Sequence, residues 1–176
     1  MMKLMKLNEP LYHTDELAAL WGITNRNTLT VSIHRYVKKG ILTPIYRGLY
    51  ATRSIETISP YRMGAAIAHR YCYVSTETVL VMAGVIFQEL SAITFVSDRT
   101  QQMSVGGHTF RFRQMAPKFL HQSAGVSLVD GVLWASAERA YADLLYFAPK
   151  YYFDAPNKLD WKKVKVIQQE VGYDRQ

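Results

Sequence analysis

Cysteine is almost missing from this chain of 176 residues: Cys72 stands alone, so it has no intrachain disulfide partner and cannot build a cysteine-based zinc site. That excludes disulfide-stapled secreted scaffolds and zinc fingers, and a reducing, cytoplasmic home is expected. Glycine and proline are too few, at 10 and 6, for a collagen-like or linker-like chain. No apolar run approaches the roughly 20 residues of a membrane span, so no membrane partner is expected. The first eight residues break their apolar positions with Lys3 and Lys6 and then meet Glu9-Pro10, which leaves no core for a secretory leader. The signatures of catalysis are missing too. His13, His34, His69, His108 and His121 show no H-x-x-x-H spacing and no neighbouring carboxylate cluster. There is no G-x-S-x-G elbow, no glycine loop ending in Gly-Lys-Ser/Thr and no dinucleotide fingerprint. Neither an enzyme, a metal site nor a cofactor is expected.

What the chain does have is 49% hydrophobic and 12% aromatic residues, enough for one ordinary core or two small ones. It also has a formal charge of +7, unevenly spread. Residues 1–57 hold 8 basic residues against 4 acids, and the stretch from Asn25 to Arg53 holds six basic residues and no acid. Such a local positive field suits an anionic partner.

That stretch has a readable order. Thr14 reads as the N-cap of a helix with Asp15 and Glu16 in its first turn, stopped by Gly22. Leu29, Ile33, Tyr36 and Val37 then recur at helical spacing, so a second helix runs from about Asn25 or Thr28 to Lys39 and Gly40 closes it. Ile41 to Thr52 reads as a hairpin turning at Arg47-Gly48. Helix, turn, helix and hairpin form the order of a winged helix-turn-helix over residues 1–57.

After a polar junction at Ser54 to Ser59 the pattern changes, and residues 58–176 read as a second, mixed α/β domain, making the chain α+β overall. Helices are expected over Pro60 to Arg70, from a Ser75 cap to Ala83, from a Ser136 cap to Phe147, and after Asp160 with Val164, Ile167 and Val171 inward. Strands are expected at Tyr71 to Val74, Ile93 to Ser97, Thr109 to Met115, Val126 to Val129 and Val132 to Ala135. In the Ser136 helix, Glu138 and Asp143 lie about 140° apart and do not converge as an acid/base pair. Asp143 is expected to pair with Arg139 one turn back, while Ala140, Tyr141, Leu144 and Leu145 bury a stripe. Lys162, Lys163 and Lys165 read as a solvated face, and Cys72 as a small core residue.

With the apolar stripe of the second basic-segment helix turned inward, Asn27, Thr28, Val31, His34, Arg35 and Lys38 face outward. Helix-turn-helix proteins read bases with the N-terminal half of this helix, so Asn27, Thr28, Val31 and Arg35 are the base-edge candidates, with Arg26 flanking. Asparagine suits adenine, arginine guanine, and valine a thymine methyl. Lys38, Lys39, Arg47 and Arg53 suit phosphates. His34 is expected to be only a surface residue. A charged outer face is ordinarily just solvated, but the acid-free run, the turn and the hairpin arrive together, which favours double-stranded DNA. The alternative is a winged-helix scaffold that binds protein.

Several blocks, taken in order, resemble a known family. Tyr12-His13-Thr14-Asp15-Glu16-Leu17, Tyr36-Val37-Lys38-Lys39-Gly40-Ile41-Leu42 and Tyr46-Arg47-Gly48-Leu49-Tyr50 are similar to the N-terminal winged helix of AbiEi-family antitoxins. Tyr73 to Leu80, Ile93 to Val96 and Ala135 to Tyr146 are similar to blocks of that family's second domain. The resemblance implies an antitoxin of the type IV class whose winged helix represses its own operon at inverted repeats. It also implies a second domain that counters a nucleotidyltransferase-like toxin without a lasting complex. Inverted repeats would suit a homodimer.

Overall fold

The computed structural model describes residues 9–173, so Lys3 and Lys6 of the N-terminal charge count lie outside the described residues. The chain is α+β and divides into two compact units, Met1–Ile67 and Ala68–Gln176. Among the described residues no helix is long and apolar enough to cross a membrane.

The first unit runs β1 (Leu11–His13), α1 (Thr14–Trp21), α2 (Arg26–Lys38), β2 (Thr43–Tyr46), β3 (Leu49–Ala51) and α3 (Pro60–Ala68). The three strands form one antiparallel sheet in the order β1-β3-β2. Both basic-segment helices stop as their glycines require. Gly22 and Gly40 take left-handed φ values of 68° and 67°, which a Cβ would resist. Each stop closes with paired bonds: Ile23 N–H to Ala18 O at 3.0 Å and Gly22 N–H to Ala19 O at 3.2 Å, then Ile41 N–H to Tyr36 O at 3.0 Å and Gly40 N–H to Val37 O at 2.9 Å. The core is Tyr12, Leu17, Leu29, Ile33 and Leu42, with Trp21, Ile23, Tyr36 and Val37 packed at its margin. Thus Leu29 and Ile33 of the expected stripe are buried and Tyr36 and Val37 half-buried.

Two expectations need correction here. Thr14 is not the N-cap but the first helical residue; His13 holds the cap position and its backbone N–H donates to Glu16 Oε2 at 2.6 Å. Thr14 is occupied elsewhere, donating to Gly48 O through its N–H at 2.9 Å and its hydroxyl at 3.1 Å, which pins the hairpin turn to the start of α1. The boundary between units also falls later than the junction after residue 57. Helix α3 is tied to the first unit by the Arg62–Glu9 ion pair at 2.7 Å and by His13 Nε2, which donates to Ala66 O at 2.9 Å.

The second unit contains β4 (Cys72–Val74), α4 (Glu77–Met82), β5 (Ile93–Ser97), β6 (Gln101–Val105), β7 (His108–Gln114), α5 (Pro117–Leu120), β8 (Val126–Val129), β9 (Val132–Ala135), α6 (Ala137–Phe147) and α7 (Trp161–Val171). Its mixed six-stranded sheet has the order β6-β7-β5-β4-β9-β8. Along β7 Phe110 and Phe112 are buried while Arg111 and Arg113 stay half-exposed, as period-two alternation requires, and Phe112 stacks on Phe95 at 5.2 Å. Strands β1 and β6 and helix α5 are additions to the elements expected from sequence.

Ser75 is a further correction: it does not cap α4. Thr76 takes the cap position at φ 53° and ψ −132°, a strained conformation for a β-branched residue. Ser75 is instead buried and donates its hydroxyl to Asp143 Oδ2 at 2.7 Å. Ser136 does cap α6, accepting from Arg139 N–H at 3.2 Å, and Asp160 caps α7 through Lys162 N–H and Lys163 N–H.

Candidate nucleic-acid interface

Helix α2 is held by its cap and its stripe, and both leave its outer face clear. Asn25 accepts from the backbone N–H of Thr28 at 3.1 Å and, at 3.4 Å, from the Thr28 hydroxyl. With Leu29 and Ile33 inside, the helix's rotation is set, and Arg26, Asn27, Thr28, Val31, Arg35 and Lys38 are all exposed, as is Lys39 at its end. Val31 is 57% exposed, an apolar side chain on a cationic face with no part in the core. His34 is exposed on the same helix. No acid stands in the first turn, and Arg35 and Lys38 lie in the last. From Asn27 to Lys38 the exposed row is about 16 Å long at 1.5 Å per residue.

Arg47 is exposed in the two-residue turn between β2 and β3, and Arg53 is exposed just after β3. The hairpin is therefore short. It carries Arg47 to the N-terminus of α1, through Gly48 and Thr14, rather than reaching outward as a long wing. All nine residues singled out from sequence are on the surface, seven of them on or at the end of one helix.

Helix α2 is a ridge between two grooves. One, of about 390 Å³, lies toward the hairpin and is lined by Arg26, His34, Pro44 and Tyr50 among others. The other, of about 500 Å³, lies toward the end of α1 and is lined by Trp21, Ile23, Ser32, Arg35, Tyr36, Lys39 and Ile41. In it Trp21 and Tyr36 stack at 4.9 Å with their planes 21° apart. Sequence reasoning counted Tyr36 as core and passed over Trp21. The available signal was an aromatic residue directly before a helix-stopping glycine, where a side chain sits at the edge of the core.

In the second unit the polar residues of α6 converge inward. Arg139 and Asp143 are both fully buried, with Nε donating to Oδ1 at 2.7 Å. The other guanidinium protons go to the carbonyls of Gln122 and Ala124 at 2.9 Å, to the Tyr73 hydroxyl at 2.8 Å and to the Phe119 carbonyl at 3.2 Å. Asp143 also accepts from Ser75 and, at 2.5 Å, from the Tyr173 hydroxyl. The expected pairing is present, but the buried face was misplaced. Arg139 and Asp143 are inside along with Ala140, Ala142 and Leu144, while Tyr141 and Leu145 are only half-buried.

Burial pushes the phenols of Tyr73 and Tyr173 up, and the Asp143 carboxylate pushes them further. Burial pulls the Arg139 guanidinium down, but Asp143, Tyr73 and Tyr173 outweigh it and the net shift is upward. Burial also pushes the Cys72 thiol up to about 12, which makes it inert at neutral pH. Every guanidinium proton here has a partner, so the cluster is built to hold the fold. Glu138 does not join it; one of its carboxylate oxygens lies 3.5 Å from the Asp160 backbone nitrogen.

No protein-family profile matches the chain, and no curated protein is similar to it.

Proposed function

We propose that the first unit is a winged helix-turn-helix that binds double-stranded DNA through α2, and that the chain is an AbiEi-type antitoxin repressing its own operon. The observation that carries the DNA reading is the acid-free cationic ridge of α2, held by a buried Leu29–Ile33 stripe with its outer row exposed.

A helix of this width enters the B-DNA major groove, which is about 12 Å wide. Arg35 then reaches guanine O6 and N7 with its fork, Asn27 reads adenine, and Val31 packs on a thymine methyl. The Thr28 hydroxyl donates to the Asn25 side-chain oxygen of the cap, so it contributes less to base reading than its neighbours. Lys38, Lys39, Arg47 and Arg53 neutralise phosphates on the flanks of the ridge. The antitoxin half rests on the ordered sequence blocks. On this reading the second unit, in the cytoplasm, counters a nucleotidyltransferase-like toxin, and its buried Arg139–Asp143 cluster keeps the countering surface in shape.

The test is fluorescence anisotropy with the DNA upstream of the chain's own reading frame. Arg35→Ala is expected to cost about 1–3 kcal/mol, a weakening of roughly 5- to 150-fold, and to relax the sequence preference. With four phosphate cations the log–log salt slope should be about −3 to −4 per bound unit. Equal binding of Arg35→Ala and the parent, or a slope near zero, rejects the reading and points to a protein-binding scaffold. For the second unit, co-expression with a nucleotidyltransferase encoded next to this chain should restore growth.

A further inference from the structure

The groove between the end of α1 and the flank of α2 has a composition that DNA contact alone does not call for. Trp21, Ile23, Tyr36 and Ile41 make it apolar, Arg35 and Lys39 make it cationic, and no carboxylate lines it. One side is the termination of α1 at Gly22-Ile23, and the other is the last two turns of α2 with their termination at Gly40-Ile41; both terminations are locked by paired closing bonds. The cleft is therefore preformed. Its volume, about 500 Å³, is large enough for a small molecule.

We propose that this cleft binds a small planar aromatic carboxylate and that its occupancy releases DNA. The ring of such a ligand lies against the Trp21 and Tyr36 side chains, which offer large, stiff apolar surfaces. Its carboxylate pairs with the Arg35 fork, and Lys39 adds a second positive charge. The two helix C-termini beside the cleft carry only partial negative charge, which two full cations outweigh. A neutral ring leaves the cations without a partner, and an acid without a ring leaves the apolar wall wet, so both features are needed for affinity. The release of DNA rests on the proposed DNA reading: Arg35 and Lys39 serve bases and phosphates there, and a guanidinium held by a carboxylate is not available to guanine.

Indole-3-acetate is a suitable probe, with indole-3-acetamide as its neutral isostere and acetate as the acid lacking a ring. Titrations of the full chain by calorimetry, and of the Trp21 indole N–H by NMR, read binding without DNA. Indole-3-acetate should saturate the site, with the amide and acetate each at least about tenfold weaker. Arg35→Ala, Lys39→Ala and Trp21→Leu should each weaken it about fivefold or more, while Trp161→Phe should change nothing. Circular dichroism checks that each variant is folded. The two cation variants alter exposed side chains, so they carry the test even where Trp21→Leu unfolds. No saturation by about 10 mM, equal affinity for acid and amide, or indifference to Arg35→Ala overturns the site.

Anisotropy with the upstream duplex then reads the second half: the apparent Kd for DNA should rise with indole-3-acetate. Unchanged DNA affinity at saturating probe overturns release while leaving the site. A chain that binds the probe but never binds the duplex removes the DNA reading, and release with it, without touching the cleft.

Discussion

Replacing Arg139 with methionine removes a buried cation while roughly conserving side-chain volume, and the hydrogen-bond pattern sets the cost. Asp143 stays behind, fully buried, with its carboxylate accepting from the Ser75 and Tyr173 hydroxyls but facing no cation among the described residues that replaces Arg139. Removing one partner of such a pair typically costs about 3–5 kcal/mol. The Tyr73 hydroxyl loses its donor inside the core, which adds about 1–3 kcal/mol, while the Phe119 carbonyl keeps the Gln122 backbone N–H at 3.2 Å. The Gln122 carbonyl belongs to an exposed residue, so water can replace part of what it loses.

A loss of about 4–8 kcal/mol is comparable with the whole stability of an ordinary domain, about 5–15 kcal/mol. Urea unfolding in a Trp21→Phe background, followed by Trp134 and Trp161 fluorescence, isolates the second unit. With a slope of about 1–3 kcal/mol per molar urea, the midpoint should fall by about 1.3 M or more, or the unit should be unfolded in buffer. Arg139→Met combined with Asp143→Leu should be less damaging than Arg139→Met alone, because the orphaned carboxylate is gone. A single-variant shift below about 0.5 M, or a double variant that merely adds the two single losses, would refute the claim that this cluster holds the unit together.

Stability should be level through neutral pH and fall in alkali. Tyr73, Tyr173 and Cys72 all hold their protons more tightly folded than unfolded. The unfolded thiol and phenols titrate near about 8.5 and 10, so stability is lost as pH rises above those values, at up to about 1.4 kcal/mol per pH unit for each group. Urea midpoints from pH 7 to 11 read this; Tyr173→Phe should flatten the fall, and a midpoint constant to pH 11 counts against it. Cys72 should react with a thiol reagent at neutral pH only once the second unit unfolds, and rapid labelling of the native chain contradicts its burial. Gly125→Ala should cost about 1–3 kcal/mol more than Gly107→Ala, read as the difference in urea midpoints. Both positions have left-handed φ, but a Cβ on Gly125 would lie 2.8 Å from Arg139 Cβ and 2.9 Å from Ile167 Cδ1, whereas one on Gly107 meets nothing within 4 Å. Equal losses would refute the close approach.

Local signals were enough wherever one segment carries its own reason to form. Gly22 and Gly40 end helices because only glycine sits easily at their φ, Asp130-Gly131 turns β8 into β9, and Ser136 and Asp160 cap α6 and α7. The outward face of α2 was legible for the same cause: a helix with one apolar stripe has only one way to turn, and that turn leaves the seven candidate contacts on or at the end of α2 exposed. Partners distant in the chain were not legible. Three residues of β1 are a strand because β3 pairs with them, and β6, Gln-Gln-Met-Ser-Val, is one because β7 does. Ser75 looked like a cap until Asp143, far along the chain, took its hydroxyl. The spacing of Arg139 and Asp143 states that they pair, but not that carbonyls, a serine and two tyrosines close around them and bury them. The Trp21–Tyr36 cleft is of the same kind, since its walls are two helix ends brought together by packing. Periodicity and caps act over a few bonds and so are written in neighbouring residues; burial of charge and the shape of a cleft depend on which distant segments displace water, and that is set when the chain folds on itself.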